Sequence, residues 1–481
     1  MKKIVFLTGA SGNMGQETLK QLLSRSDRFY VVVLVLPTEK DKKIMSIYEG
    51  NENLKIIWGD LTQYEDVFAC VAGADYVLHV GGMVSPMADY YPELTTKVNV
   101  GGAKNIVKAI QSQPNRDEIK LVYIGTVAQT GDRNPSIHWG RTGDPLKISK
   151  YDNYAITKTI AEREVIESGL KYWVSLRQTG ILYPSMADAL DPIMYHVPLQ
   201  GVFEWATVQD SGRMMANTCE ENVPDEFWRR IYNIGGGEKF RTFNYDFLIE
   251  SGKASGIADA RKMFNLNWFA IQNFHGQWYE DSDELEKYLK FRTGSIQDHL
   301  EEVRKRGKVK RFFTKLMPSS FLKKYVMKPV AFKRGYGTMD WIKNNNIEKI
   351  NAYFGSKEQW AAIPSWEQFT PVRPSKVPVR LLHGYDESKS KSELDIYDMI
   401  NAAEFRGGKC LSTAMTKGNL ITKLNWECAF GHLFEASPTA VLLGGHWCPD
   451  CVVNIDNYKE EAKRNPFFNQ VWSPLSDNKN I

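Results

Sequence analysis

Short apolar runs alternate with longer stretches of helical period over roughly the first 180 residues. The runs at 3–7 (KIVFL), 30–36 (YVVVLVL), 54–58, 76–80 (YVLHV), 121–124 (LVYI) and 172–176 predict six strands. Residues 17–23, 42–48, 64–71, 98–110 and 154–167 predict the helices between and after them. YVVVLVL is apolar throughout, the pattern of a strand covered on both faces. Strand–helix alternation of this kind predicts an α/β fold: a doubly wound parallel sheet, helices on both faces, right-handed crossovers.

From about Gln178 the spacing loosens and Pro, Met and aromatic residues increase. This predicts loops and short elements above the carboxyl edge of the sheet, forming a smaller substrate part. Residues 281–368 read as largely helical and polar, and 281–289 has acids early and lysine late, as the helix dipole favours. Pro371, Pro374 and Pro378 mark a linker or extended arm. Residues 392–403 predict a further helix with Ser392 as its cap. Three units are expected: 1–280, with its substrate part mainly at 178–280; a basic helical extension and linker at 281–395; and a Cys/His-rich module and tail at 396–481.

At 481 residues the chain has room for about three domains. With 43% hydrophobic and 25% charged residues, its composition excludes a disordered or collagenous protein. No apolar run approaches the length of a spanning helix, and IVFL is too short for the core of a signal peptide. Six cysteines are too few for a disulfide scaffold, so a reducing cytoplasm is the simplest setting. The net charge of +4 hides a local excess: Arg304 to Met339 holds twelve Lys or Arg and no acid. The basic character is regional.

The chemistry begins at Gly9, Gly12 and Gly15, between the first strand and its helix. Glycines there permit a tight turn and close approach of a pyrophosphate to backbone N–H groups at the helix start. Asp60, just after the third strand, can accept from an adenine amino group or cap the next helix, a role Thr62 can also fill. An acid at the end of the second strand would bind the ribose of NAD. Here Leu36-Pro37-Thr38 stands there, with Lys40, Lys42 and Lys43 beyond, which favours NADP over NAD. Tyr154 and Lys158 share a helix face, so the ammonium can lower the phenol's pKa. Thr126 ends the fifth strand and can orient a carbonyl oxygen. A proton donor, a tuning cation and an orienting hydroxyl are what hydride transfer at a C–O centre requires.

The ordered motifs TGASGNMG (8–15), GDL (59–61), HVGG (79–82), NVGG (99–102), YIGT (123–126), YAITK (154–158) and LRQTGILYP (176–184) carry a resemblance. Over about 280 residues the chain resembles the extended short-chain dehydrogenase/reductase family, with its epimerases, dehydratases and hydroxysteroid dehydrogenases. The resemblance implies a Rossmann-type fold. It makes Thr126, Tyr154, Lys158 and Asn99 catalytic, Asn99 holding a helix kink and a water that links the lysine to solvent. It puts the cofactor on Gly9, Ser11, Gly12, Asn13, Met14, Gly15, Asp60, Leu61, Gly81, Tyr154, Lys158 and Tyr183. It also implies a homodimer through a four-helix face that includes the Tyr154 helix. Met186, Met194, Tyr195, Phe203 and Trp205 read as an apolar wall over the substrate, or else as core. With only Arg213 nearby for a diphosphate, a bulky apolar carbonyl or alcohol is favoured over a sugar nucleotide.

Cys428 and His432 are followed, after a short loop, by Cys448 and Cys451 in CPDC. Two pairs of soft ligands at this spacing predict a closed, structural zinc site, resembling a treble-clef module. Cys410 and His446 are possible competitors. The basic run Arg304, Lys305, Arg306, Lys308, Lys310, Arg311 precedes apolar pairs four apart, 312/316, 313/317, 321/325 and 322/326. It can be a solvated helix packed on the first unit, a membrane-surface helix or a nucleic-acid contact. The leading functional reading is an NAD(P)-dependent oxidoreductase. The alternatives are a nucleotide-sugar epimerase or dehydratase, and a non-catalytic nucleotide sensor.

Overall fold

The computed structural model describes residues 1–133, 136–188 and 190–476. Ala189 in the expected apolar wall, the Lys310 side chain and the tail at 477–481 lie outside the described residues. Seven parallel strands form the central sheet: β1 (Lys3–Thr8), β2 (Phe29–Val35), β3 (Leu54–Trp58), β4 (Tyr76–His79), β5 (Lys120–Thr126), β6 (Tyr172–Gln178) and β7 (Arg230–Ile234). Their order is β7-β6-β5-β4-β1-β2-β3. Between them run α1 (Asn13–Leu23), α2 (Glu39–Met45), α3 (Tyr64–Val71), α4 (Gly102–Gln111), α5 (Asn153–Ile166) and α6 (Val208–Asn217). This is a Rossmann-type doubly wound fold. Strand order reverses between β1 and β4, so a crevice opens at their carboxyl ends.

Alternation along each strand divides the core. Val5, Leu7, Val31, Val33, Leu78 and Val122 pack under Leu19 and Leu22 of α1 and under Met214 and Met215 of α6. Phe6, Val32, Leu34, Val77, Leu121 and Tyr123 face the other way, onto Val67, Ile106, Ile110 and Val165. Each fully buried aliphatic or aromatic side chain here contributes about 1.5–3 kcal/mol.

Helix α1 and strand β7 depart from the sequence reading. Helix α1 starts four residues early, at Asn13, because extended Gly12 caps it directly after the turn at Gly9 (φ +74°). Strand β7 escaped notice: RIYNI has only three apolar residues, follows an irregular stretch, and pairs on one side alone.

The expected substrate wall is core. Tyr195, Phe203 and Trp205 are 0%, 4% and 8% exposed, and Met186 and Met194 pack partly buried against the same clusters. The Phe203 and Trp205 rings stack at 4.5 Å, and strand 202–204 pairs with 241–243 over them. Tyr195, Phe264, Trp268 and Phe269 share a core with Leu322, Met327, Trp341 and Phe354 from the following segment. Tyr195, Phe203 and Trp205 are thus spent on packing. Arg213 is also engaged, by Asp210 at 2.7 Å and the Phe291 carbonyl at 2.6 Å.

The helix near 392 begins at Ile396 and is capped by Asp395, while Ser390 caps the turn Lys391–Glu393; Ser392 caps neither. A three-stranded antiparallel sheet, β8 (Lys409–Cys410), β9 (Leu424–Glu427) and β10 (Leu433–Ala436), frames the Cys/His-rich module. Among the described residues no helix is long and apolar enough to cross a membrane.

Candidate active site and metal centre

The glycine turn is built by exclusion. A Cβ on Gly15 would lie 1.9 Å from the Gly9 carbonyl oxygen, and one on Gly9 would lie 2.7 Å from the Gly81 Cα. The loop after β1 therefore rests directly on the loop after β4, and the Gly81 N–H donates to Thr8 Oγ1 at 2.9 Å. Gly12 and Asn13 are exposed at the start of α1, which no side chain caps. Uncapped N–H groups at a helix start suit a dinucleotide pyrophosphate. Ser11 is half-buried and its carbonyl accepts from Gln16, while Met14 and Gly15 are buried beneath the turn.

Asp60 Oδ1 accepts from the Thr62 N–H at 2.8 Å, forming a local turn. The N-cap of α3 is Gln63, so neither Asp60 nor Thr62 caps that helix. The Leu61 carbonyl accepts from Asn105, and its side chain fills the space a Cβ on Gly102 would need. At the end of β2, Leu36 is 47% exposed and no acid stands there; Lys42 pairs with Glu39 at 3.0 Å.

Thr126 closes β5 and Tyr154 lies in the first turn of α5, near enough for the Thr126 hydroxyl to act on the phenol. Thr126 is 3% exposed, and its Oγ1 also accepts from the Ala128 N–H. The expected lowering of the Tyr154 phenol by Lys158 is not found. Burial pushes it up to about 12, the Thr126 hydrogen bond opposes this, and Asp152 adds to it. Lys158 is itself buried, and desolvation pulls its ammonium down to about 7 against the raising effect of Glu162. Its Nζ lies 4.2 Å from the centre of the Tyr123 ring. The lysine is thus buried against an aromatic face, with the Glu162 charge acting on it.

Asn99 lies in a π-helical turn, Lys97–Gly101, that continues into α4. Its amide donates to the Met83 carbonyl and to Thr157 Oγ1, both at 3.0 Å, and its Oδ1 accepts from the Met83 N–H at 2.8 Å. The side chain ties the loop after β4 to α5. Tyr183 follows the short strand Ile181–Leu182 and is half-buried.

Sequence reasoning missed what lies below. His79 ends β4, is 2% exposed, and meets Thr8 Oγ1 at 2.9 Å; burial, with Lys158 adding, holds it neutral with a pKa near 3. Glu162, one turn beyond Lys158, is fully buried. It accepts from Gln129 and Ser175 at 2.6 Å, from Arg177 at 2.8 and 3.1 Å, and lies 2.8 Å from His446 Nε2. Arg177 in turn donates to the Gly444 carbonyl at 2.6 Å. The signal was the repeat Tyr154, Lys158, Glu162 at four-residue spacing. His446, a possible metal ligand by sequence, is directed to this network instead.

The C-terminal module sits on α5. Arg163 donates to the Trp447 and Glu435 carbonyls, and Glu167 accepts from the Ser437 N–H and hydroxyl. The helix on which the resemblance places a dimer face is therefore partly covered by the chain itself. Within the module the ligating atoms of Cys428, His432, Cys448 and Cys451 all lie within 4.8 Å of one another. Cys428 Sγ is 3.8 Å from Cys451 Sγ, and His432 Nδ1 is 3.3 Å from Cys448 and 3.4 Å from Cys451. A zinc–sulfur distance near 2.3 Å in a tetrahedron sets an S···S edge of about 3.8 Å, so the cluster fits zinc. Cys410 stands apart, its thiol directed to the Ser412 carbonyl.

Residues 6–185 match the 3-beta hydroxysteroid dehydrogenase/isomerase family. Human 3 beta-hydroxysteroid dehydrogenase type 7 is 28% identical over 170 residues, 35% of this chain and 45% of that protein. The chain thus spans about half the length of the first curated relatives it matches. A UDP-glucose 4-epimerase of Rickettsia massiliae is 28% identical over 330 residues, 63% of this chain and 94% of that enzyme. In fold, the chain is similar to a dTDP-glucose 4,6-dehydratase of Streptomyces venezuelae solved with NAD and TYD bound. The TM-score is 0.51 at 18% identity, covering 64% of this chain and 98% of the other. The sheet order agrees with that match in fold, and through its first part the chain is similar to 3-beta hydroxysteroid dehydrogenases and nucleotide-sugar epimerases.

Proposed function

We propose that the protein is an NAD(P)-dependent oxidoreductase acting at a carbonyl or alcohol carbon, with Thr126, Tyr154, Lys158 and Asn99 as its machinery. The observation that carries this is the placement of buried Thr126 at the end of β5, Tyr154 in the first turn of α5 and buried Lys158 one helical turn further on. The nicotinamide cofactor, when bound, supplies or takes up the hydride. Tyr154, held protonated at neutral pH, donates its proton to the substrate oxygen in the reductive direction. Thr126 Oγ1 orients that oxygen. Lys158, near pKa 7, can hold or pass a proton beneath the site, and Asn99 fixes α5 against the loop after β4.

NADP is preferred in this reading, on the missing acid after β2 and the exposed Lys40 and Lys43. The apolar substrate no longer rests on the buried wall. It rests on Val84 and Met87, 58% and 48% exposed, in the segment whose Asp89 accepts from the Asn153 N–H at the start of α5. The alignment along 94% of a UDP-glucose 4-epimerase favours a second reading, a nucleotide-sugar epimerase or dehydratase. One structural zinc, held by Cys428, His432, Cys448 and Cys451, completes the proposal. A cytoplasmic setting agrees with six free cysteines. A homodimer would use surface the module leaves open. Turnover assays with NADPH and NADH against apolar hydroxy and keto compounds and against nucleotide sugars separate the readings. Turnover of nucleotide sugars alone selects the second, and no turnover with intact cofactor binding rejects both.

A further inference from the structure

Helix α7 (Lys308–Leu316) lies the wrong way round for a helix of a soluble core. Val309, Phe312, Phe313 and Leu316 fall at i, i+3, i+4 and i+7, the spacing that normally faces a core. Here they are 73%, 60%, 57% and 66% exposed. Arg311 and Thr314, on the opposite side, are the half-buried residues, and Arg311 packs against Gly256. The next turns continue the surface: Phe321 and Tyr325 are exposed with ring centroids 4.8 Å apart, while Leu322 and Met327 anchor that segment in the core. The apolar outward face is therefore not a failure of packing. Lys308, Lys315, Lys324 and Lys328 are exposed around it.

We propose that this face docks on an anionic membrane surface, with the aromatic and aliphatic side chains entering the interface and the lysines meeting lipid headgroups. Charge selects the occupant. Between Arg304 and Met339 twelve basic residues stand without one acid, so a second copy of the same face would bring like charges together. A nucleic acid would use the cations but leave the helical apolar stripe in water. A negatively charged bilayer satisfies both halves, and a helix of this kind lies in the interface rather than spanning it.

The test is flotation of the full chain with vesicles of phosphatidylcholine alone and of phosphatidylcholine mixed with phosphatidylglycerol. At least tenfold more protein floats with the anionic vesicles, and added salt reduces this. Phe312→Ser with Leu316→Ser, and separately Lys308→Glu with Lys315→Glu, abolish flotation while leaving the thermal melt unchanged, since all four side chains are exposed. Equal flotation with both vesicles, or none, overturns the proposal. So does a dimer dissolved by Phe312→Ser, or binding of a DNA duplex lost with the lysine variants while vesicles are ignored.

Discussion

Removing the Glu162 carboxylate tests the network beneath α5 most sharply. Both Glu162 and Arg177 are fully buried, and the carboxylate is the shared partner of Gln129, Ser175, Arg177 and His446. In Glu162→Ala the guanidinium keeps the Gly444 carbonyl but loses its counter-charge. An uncompensated buried charge costs about 3–5 kcal/mol, and the orphaned donors lie within that figure because they share one site. Removing both charges, in Glu162→Ala with Arg177→Met, costs less than the sum of the single changes, by about 0.5–3 kcal/mol. Urea unfolding followed by tryptophan fluorescence and far-UV circular dichroism gives these values where the two probes coincide. The pH dependence has a defined sign. Despite burial, Arg177 first, with His446 adding, holds Glu162 far below the ordinary carboxylate range. Its contribution is complete above the unfolded carboxylate value of about 4.3 and is lost as pH falls toward the folded one. The gap between wild type and Glu162→Ala therefore narrows below about pH 4. A destabilisation under about 1 kcal/mol at neutral pH, or strictly additive effects, would refute the reasoning.

Tyr154→Phe is expected to lower kcat by about 100-fold or more while changing cofactor affinity less than threefold, because it removes the proton donor while the ribose contacts rest mainly on Lys158; steady-state kinetics and cofactor titration check this. Lys158→Met should weaken cofactor binding and flatten the change in wild-type binding expected as pH rises through about 7, where the buried ammonium loses its charge; binding titrations from acid to alkaline pH read it. Cys448→Ser should release about one zinc per chain and open residues 408–455 to protease while the first unit keeps its cofactor affinity. Metal analysis with limited proteolysis decides this, and a metal content well below one per chain in the unmutated protein counts against the site.

Local physics made much of this molecule legible. Six of the seven central strands follow from short, mostly apolar runs bounded by glycine or polar turns, and β2, buried on both faces, is apolar along its length. Gly9 and Gly15 announce their turn because no side chain fits there, and the Cys/His spacing announces that these four side chains come together. Tyr154 and Lys158 are fixed by one helical turn. What the chain alone left open depended on which surfaces meet. Phe203 and Trp205 became core, and Val309, Phe312 and Phe313 became surface, though the two sets look alike in sequence. Apolarity states a preference for burial, while packing between distant segments decides which side chains obtain it. The coupling of Glu162 to His446 spans 284 positions, so no local pattern could carry it. The same holds for the Tyr154 phenol. Spacing predicted a lowered pKa, but depth in the fold raised it, because desolvation is a property of the whole surrounding volume and not of the neighbouring residue.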